Sequence, residues 1–364
     1  VLVACSSRRR RQPQIVANPE VMRVPPVALA CAVLVPLASH AQGATVAGQV
    51  VARDGAQPLG FTTVAVPSHG LRMLAGEGGA FTLRGLAPGA VRLRFTRIGY
   101  APRDTTLAVA ADGTARVRIE MTRLDLRLPP VVVNGACTDR TPFEERPAVL
   151  AQLFDQVVQN AERMRLLARE RPFVFQATRV RGSRSGERRM PIHTDTIVRG
   201  PLPANAYVPR RIYGRAGGVW AVKLPELADV ADTAFTHNHC LWYAGHDRFG
   251  ADSVVRVDFE PVPWLAREVD LEGSLYLRAD DYQLVGMVTR LNRIPPQFRG
   301  LEGYATRARF AELVSGVPVL AEWELTNTFR GVLEPVVVET GKVTQVRWLD
   351  APDAARDASR RAPR

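Results

Sequence analysis

The stretch GAFTLRGLAPGAVRLRFTRIGY, residues 79–100, alternates apolar and polar positions: Phe81 and Leu83, then, beyond Pro88-Gly89, Val91, Leu93 and Phe95. Side chains of a strand point to opposite faces in turn, so this pattern predicts a hairpin with one face on a core. The same alternation runs through TVAGQVVAR (45–53), FTTVAVP (61–67), LRMLAG (71–76) and ARVRIEMTRL (115–124), with turn signals at Asp54-Gly55, Ser68-His69-Gly70 and Asp112-Gly113. Short strands spaced about 8–12 residues apart by such turns predict an all-β sandwich.

Three segments in order, GQVVARDGAQPL (48–59), GAFTLRGLAPG (79–89) and RIGY (97–100), resemble the carboxypeptidase regulatory-like (transthyretin-like) domain. The resemblance implies a seven-stranded prealbumin-like sandwich over residues 44–125, in which Phe81 and Leu83 fill the space between sheets and Gly99 bends the chain before Tyr100. It implies binding, tethering or spacing, and no catalytic group. LRLPPVVVNG (126–135) is similar to the stretch after this domain in TonB-dependent receptors. The roughly 230 residues that follow are too few for their plug and barrel, so 126–136 is expected to be a proline-containing linker.

Residues 137–350 form the second predicted domain. Val149, Leu150, Leu153, Phe154, Val157, Val158, Ala161, Met164 and Leu167 recur at intervals of three and four between Pro142 and Arg171, the stripe of an amphipathic helix ended by Pro172. Strand-like runs follow: FVFQATRVRG, TIVRG, SVVRVDFEP, EGSLYLRADDYQLVGMVTRL, ATRARFAEL, PVLAEWELTNTF and PVVVETGKVTQVRWL. One long helix and an antiparallel meander predict an α+β domain in which a curved sheet wraps the helix. Residues 272–291 resemble the hairpins of periplasmic lipoprotein-carrier-like half-barrels. The expected fold is thus multi-domain, all-β then α+β, with a disordered tail at 351–364.

The chain has 364 residues, 46% hydrophobic and 23% charged, with a net charge of +12. Only Lys223 and Lys342 are lysines, the remaining bases being dispersed arginines. That pattern argues against nucleic acid as a partner, which would call for a clustered basic face. Residues 22–41, MRVPPVALACAVLVPLASHA, combine an arginine, a short apolar run and a small-x-small site at Ser39-His40-Ala41, as a secretory signal does. Cleavage after Ala41, translation from Met22, and a periplasmic, outer-membrane or extracellular location are expected. The mature chain would have no transmembrane helix, since the run is too short to span a bilayer. Cys5 and Cys31 stand where acylation would make the chain anchored instead.

Of the four cysteines, Cys137 and Cys240 lie beyond the signal, and an even pair in an exported protein predicts a disulfide. His237, His239, Cys240 and His246 in THNHCLWYAGHD form the one metal-like cluster, without the spacing of known zinc sites; it is read as a polar loop. The carboxylates of Glu144-Glu145, Glu268 to Glu272 and Asp280-Asp281 read as caps or solvated groups. Arg181 to Arg189 reads as a solvated hairpin tip, and Trp242, Tyr243, Trp264 and Tyr276 as either a carbohydrate or lipid groove or core. No catalytic motif, metal site or cofactor site is assigned. The expected function is a non-enzymatic binding or scaffold protein of the envelope, taking a carbohydrate or apolar ligand. The alternatives are a metal-dependent hydrolase using His237, His239 and His246, and a structural partner of an outer-membrane assembly.

Overall fold

The computed structural model describes residues 43–111, 113–128, 148–182, 184–185, 188–189, 192–200, 207–216, 219–222, 227–230, 232–314, 317–331 and 336–349. The signal segment, the Glu144-Glu145 pair, Cys137 and the tail lie outside these residues.

The alternation read from residues 79–100 becomes β4 (Ala80–Leu86) and β5 (Gly89–Thr96), whose Phe81, Leu83, Leu86, Val91, Leu93 and Phe95 are all buried. With β1 (Ala44–Ala52), β2 (Thr63–Val66), β3 (Leu71–Leu74), β6 (Arg103–Val109) and β7 (Thr114–Met121) they make seven strands in two sheets, ordered β4-β1-β7 and β3-β2-β5-β6. β1 pairs with β7 in parallel, and the other neighbours are antiparallel. Phe81 meets Phe95 edge-to-face at 5.4 Å between the sheets, the arrangement ring quadrupoles favour.

The helix α1 runs over Ala148–Glu170. Its apolar stripe, Leu153, Phe154, Val157, Ala161, Met164 and Leu167, packs into a core supplied largely by one large sheet. That sheet comprises β8 (Phe173–Arg181), β11 (His193–Arg199), β14 (His239–Phe249), β15 (Asp252–Pro261), β16 (Leu271–Arg278), β17 (Leu284–Leu291), β18 (Leu301–Val314), β19 (Val317–Phe329) and β20 (Val336–Trp348), ordered β11-β8-β20-β19-β18-β17-β16-β15-β14 and antiparallel throughout. Two short hairpins, β9–β10 (Arg184–Ser185 with Arg188–Arg189) and β12–β13 (Tyr213–Ala216 with Val219–Val222), two short helices, α2 (Leu227–Val230) and α3 (Thr233–Asn238), and a 3-10 turn at Pro67–His69 complete the described elements.

The helix buries more than one stripe. Gln156, Asn160 and Arg163, at i, i+4 and i+7, are as buried as the apolar positions. They face the junction with the sandwich, where open backbone groups need partners. Gln156 Oε1 accepts from the Gly99 amide at 2.8 Å. Asn160 accepts from the Leu284 amide at 2.8 Å and donates to the carbonyls of Gln156 and Tyr282 at 2.8 and 2.9 Å. Leu74, Ile98 and Leu126 join the core of α1 and the large sheet. Leu126, read from the sequence as the first linker residue, is buried, and its amide donates to the Tyr282 hydroxyl at 3.2 Å.

Candidate functional site

The segment THNHCLWYAGHD, read as a polar loop, is α3 running into β14, an edge strand of the large sheet. This separates the three histidines. His237 and His246 are exposed, whereas His239 is buried, its ring stacked on Phe235 at 4.0 Å and edge-on to Tyr207 and Phe259. His239 Nδ1 lies 2.9 Å from the Phe235 carbonyl and Nε2 3.0 Å from that of Leu271. Asp270, inside the acidic run read as solvated, is buried too. Its Oδ1 accepts from the Leu271 amide at 2.8 Å and lies 3.7 Å from His239 Nε2, and its Oδ2 accepts from the Tyr207 hydroxyl at 2.9 Å. Burial pushes the His239 imidazole below its ordinary value and the Asp270 carboxyl above it. Among the described residues no three His, Cys, Asp or Glu side chains converge as metal ligands.

The four aromatics of the predicted groove also part company. Tyr243 packs against the core, Trp264 is exposed in the turn after β15, and Tyr276 lies on the outer face against Phe249 at 4.6 Å. Cys240 is half-buried beside Val262 and Leu265.

The register of the large sheet gathers a different group. One row of directly paired residues crosses all nine strands: Tyr243, Val257, Leu275, Met287, Ala308, Trp323, Gly341, Arg179, Asp195. Paired residues share a face, and this is the face that α1 covers through Val257 and Leu275. Towards β8 and β11 the row turns from aliphatic to aromatic and ionic. Trp323 lies across Gly341, where a Cβ would overlap the indole, and its Nε1 donates to Glu339 Oε1 at 2.9 Å. Arg179 grips Asp195 with two hydrogen bonds, at 3.0 and 2.5 Å, which raises the guanidinium and lowers the carboxylate from their ordinary values.

Tyr304 and Asn327 pair directly on the same face, four residues further along the strands. Burial first, and Glu339 second, pushes the Tyr304 phenol well above its ordinary value. Asn327 Oδ1 is buried with no hydrogen-bond partner among the described residues. The group thus offers an aromatic plate, a carboxylate, an amide carbonyl, a phenol and an ion pair on one sheet face. The signal in the sequence was period-two placement of Trp323 and Asn327 on one strand and Glu339 and Gly341 on the next. Their adjacency needed the register.

Comparison with known proteins adds the following. Residues 45–122 match the model of the carboxypeptidase regulatory-like domain. No curated protein matches the chain. Among solved structures, the minor pilin of Streptococcus agalactiae is similar at 17% identity and a TM-score of 0.21, over 25% of this chain and 49% of that one, so the chain spans about half the pilin's length. A LolA superfamily protein from Nitrosomonas europaea is similar at 12% identity and 0.30, over 55% of this chain and 94% of that one. A DUF1329 family protein from Desulfovibrio piger is similar at 8% identity and 0.30, over 56% and 98%. These are distant likenesses. No helix among the described residues is long and apolar enough to cross a membrane. The seven-stranded sandwich at the start of the described chain is a carboxypeptidase regulatory-like domain.

Proposed function

We propose that the chain is an exported, non-enzymatic binding protein of the cell envelope whose ligand is a carbohydrate held on the inner face of the large sheet. One observation carries this reading: Trp323 lies flat on Gly341 and is pinned by Glu339, with Asn327 Oδ1, which has no hydrogen-bond partner among the described residues, and the Tyr304 ring on the same face. A pyranose offers an apolar C–H face to such a plate and a rim of hydroxyls to carboxylate, amide and guanidinium groups, the few placed polar contacts that specific pockets use. An apolar ligand on the same face would meet Trp323 and Tyr304 too, which pack against the core, but would leave the Asn327 amide and the carboxylate of Glu339 without use.

Export carries a second part of the reading, a bridge between Cys137 and Cys240. Its support is that Cys240 is disulfide-bonded and that an oxidising compartment preserves such bonds. The test is intrinsic fluorescence of the full chain titrated with soluble hexasaccharides of glucose and N-acetylglucosamine. Saturable change that disappears in Trp323→Ala is the expected result. A wild-type protein that binds none of them, or a Trp323→Ala variant that binds equally well, overturns the carbohydrate reading.

A further inference from the structure

At the seam between the sandwich and α1, Arg97 of the RIGY segment and Arg163 of the helix line one small pocket. Burial, and the charge of Arg97 after it, hold the Arg163 guanidinium down to about 10. Arg163 is buried, with Nη2 lacking a hydrogen-bond partner among the described residues, and its guanidinium sits 5.5 Å above the ring of Phe61. Arg97 Nε and Nη1 are buried and likewise without a hydrogen-bond partner among the described residues. Phe61 holds its ring there at φ +57, a left-handed conformation that disfavours a bulky residue. The charges of Glu312 and Asp281 raise both guanidiniums without offsetting their burial, and Glu162, which also lines the pocket, is turned to Arg72. A buried cation with unfilled donors is costly unless an anion accompanies it, and two together doubly so.

Phe61, Thr63, Thr96 and Gln159 complete the pocket wall, with room of about 10 Å³, roughly one water-sized sphere. Gln159 Oε1 has no hydrogen-bond partner among the described residues, and its amide turned over presents a donor.

We propose that this pocket is an anion site, in which Arg97 and Arg163 together take one oxygen of an oxyanion, either free phosphate or sulfate or the phosphate group of a larger ligand. Guanidinium donors match such oxygens in geometry and charge. The bound anion neutralises the seam and ties the end of β5 in the sandwich to α1, so that occupancy stabilises the joint between the two parts. This site is separate from the inner sheet face around Trp323, and neither reading depends on the other.

The experiment is thermal unfolding of the full chain in sodium phosphate, sodium sulfate and sodium gluconate at matched ionic strength, with Arg97→Met, Arg163→Met and the surface variant Arg116→Met beside the wild type. Phosphate at about a hundredfold over its Kd is expected to raise the wild-type and Arg116→Met midpoints by about 5 °C over gluconate, and to leave the two buried-arginine variants unmoved. Equal response of wild type and both buried variants, or no response of the wild type, overturns the proposal. Should both methionine variants fail to fold, Gln159→Glu decides the matter by placing a carboxylate in the pocket. It is expected to raise the midpoint in gluconate and to abolish the phosphate response, and an unchanged phosphate response in that variant overturns the site. Phosphorus NMR of glucose-1-phosphate against inorganic phosphate then separates the two sources: line broadening of both shows a pocket open to a larger ligand's phosphate, and broadening of inorganic phosphate alone limits the site to the free ion.

Discussion

Gly99→Ala tests whether the sandwich and the α+β part unfold as one body. Gly99 has φ +79, and a Cβ there would stand 2.8 Å from the Asp281 carbonyl oxygen, in the turn between β16 and β17. The left-handed backbone costs an alanine about 1–2 kcal/mol. The close approach is to backbone that cannot rotate away, and overpacking of that kind costs about 1–3 kcal/mol more. The shift that relieves it also stretches the hydrogen bond from the Gly99 amide to Gln156, so the sum is about 2–5 kcal/mol. Gly85→Ala is the internal control: its φ is +72, but no atom lies within 4 Å of the added Cβ, so only the backbone cost of about 1–2 kcal/mol applies. Differential scanning calorimetry of the full chain is expected to give one transition in the wild type, lowered by several degrees more in Gly99→Ala than in Gly85→Ala. Two wild-type transitions, with neither responding more to Gly99→Ala than to Gly85→Ala, would refute the shared-seam argument.

Three further outcomes are expected. Tyr207→Phe removes the donor to Asp270 Oδ2 and destabilises by about 1–3 kcal/mol at neutral pH. The Asp270 carboxyl is already raised by burial, so the folded chain holds its proton more tightly than the unfolded chain, and its ionisation costs stability as pH rises from 3.8 through the folded pKa. The variant raises that pKa further, so urea unfolding should show a deficit that is largest at neutral pH and shrinks on acidification; a deficit that grows towards acid refutes the assignment. Gly341→Ala should tip the Trp323 indole off its strand and break its bond to Glu339, read as a shift in tryptophan emission with reduced saccharide binding. Reduction of the proposed Cys137–Cys240 bridge should lower stability by about 2–4 kcal/mol, since it opens a loop of about 100 residues, and Cys240→Ala should make the midpoint insensitive to reductant.

Local pattern was enough for most of the longer elements. Period-two runs at Phe81 to Phe95 and Leu271 to Leu277, and the three-and-four spacing from Leu153 to Leu167, each state which face of their own element meets a core, because side-chain direction follows backbone period. The strand β14 was missed because its histidines and short polar residues interrupt alternation, and because its edge position needs fewer apolar side chains.

What the sequence by itself determined was therefore the sandwich, the long helix and most strands of the meander. Tertiary structure alone decided which polar residues matter. Gln156, Asn160 and Arg163 lie off the apolar stripe of the helix, and their burial comes from Gly99 of the sandwich and the backbone at Tyr282 and Leu284 of the large sheet. His239 and Asp270, far apart in sequence, become one buried group. Trp323 and Gly341 become neighbours through the pairing of β19 with β20, and Arg179 joins them through that of β20 with β8, the long-range contact between the start and the end of the α+β part. Hydrophobic period is a property of single elements, whereas burial of a polar group depends on which distant surface closes over it, and that is set by the packing of the whole chain.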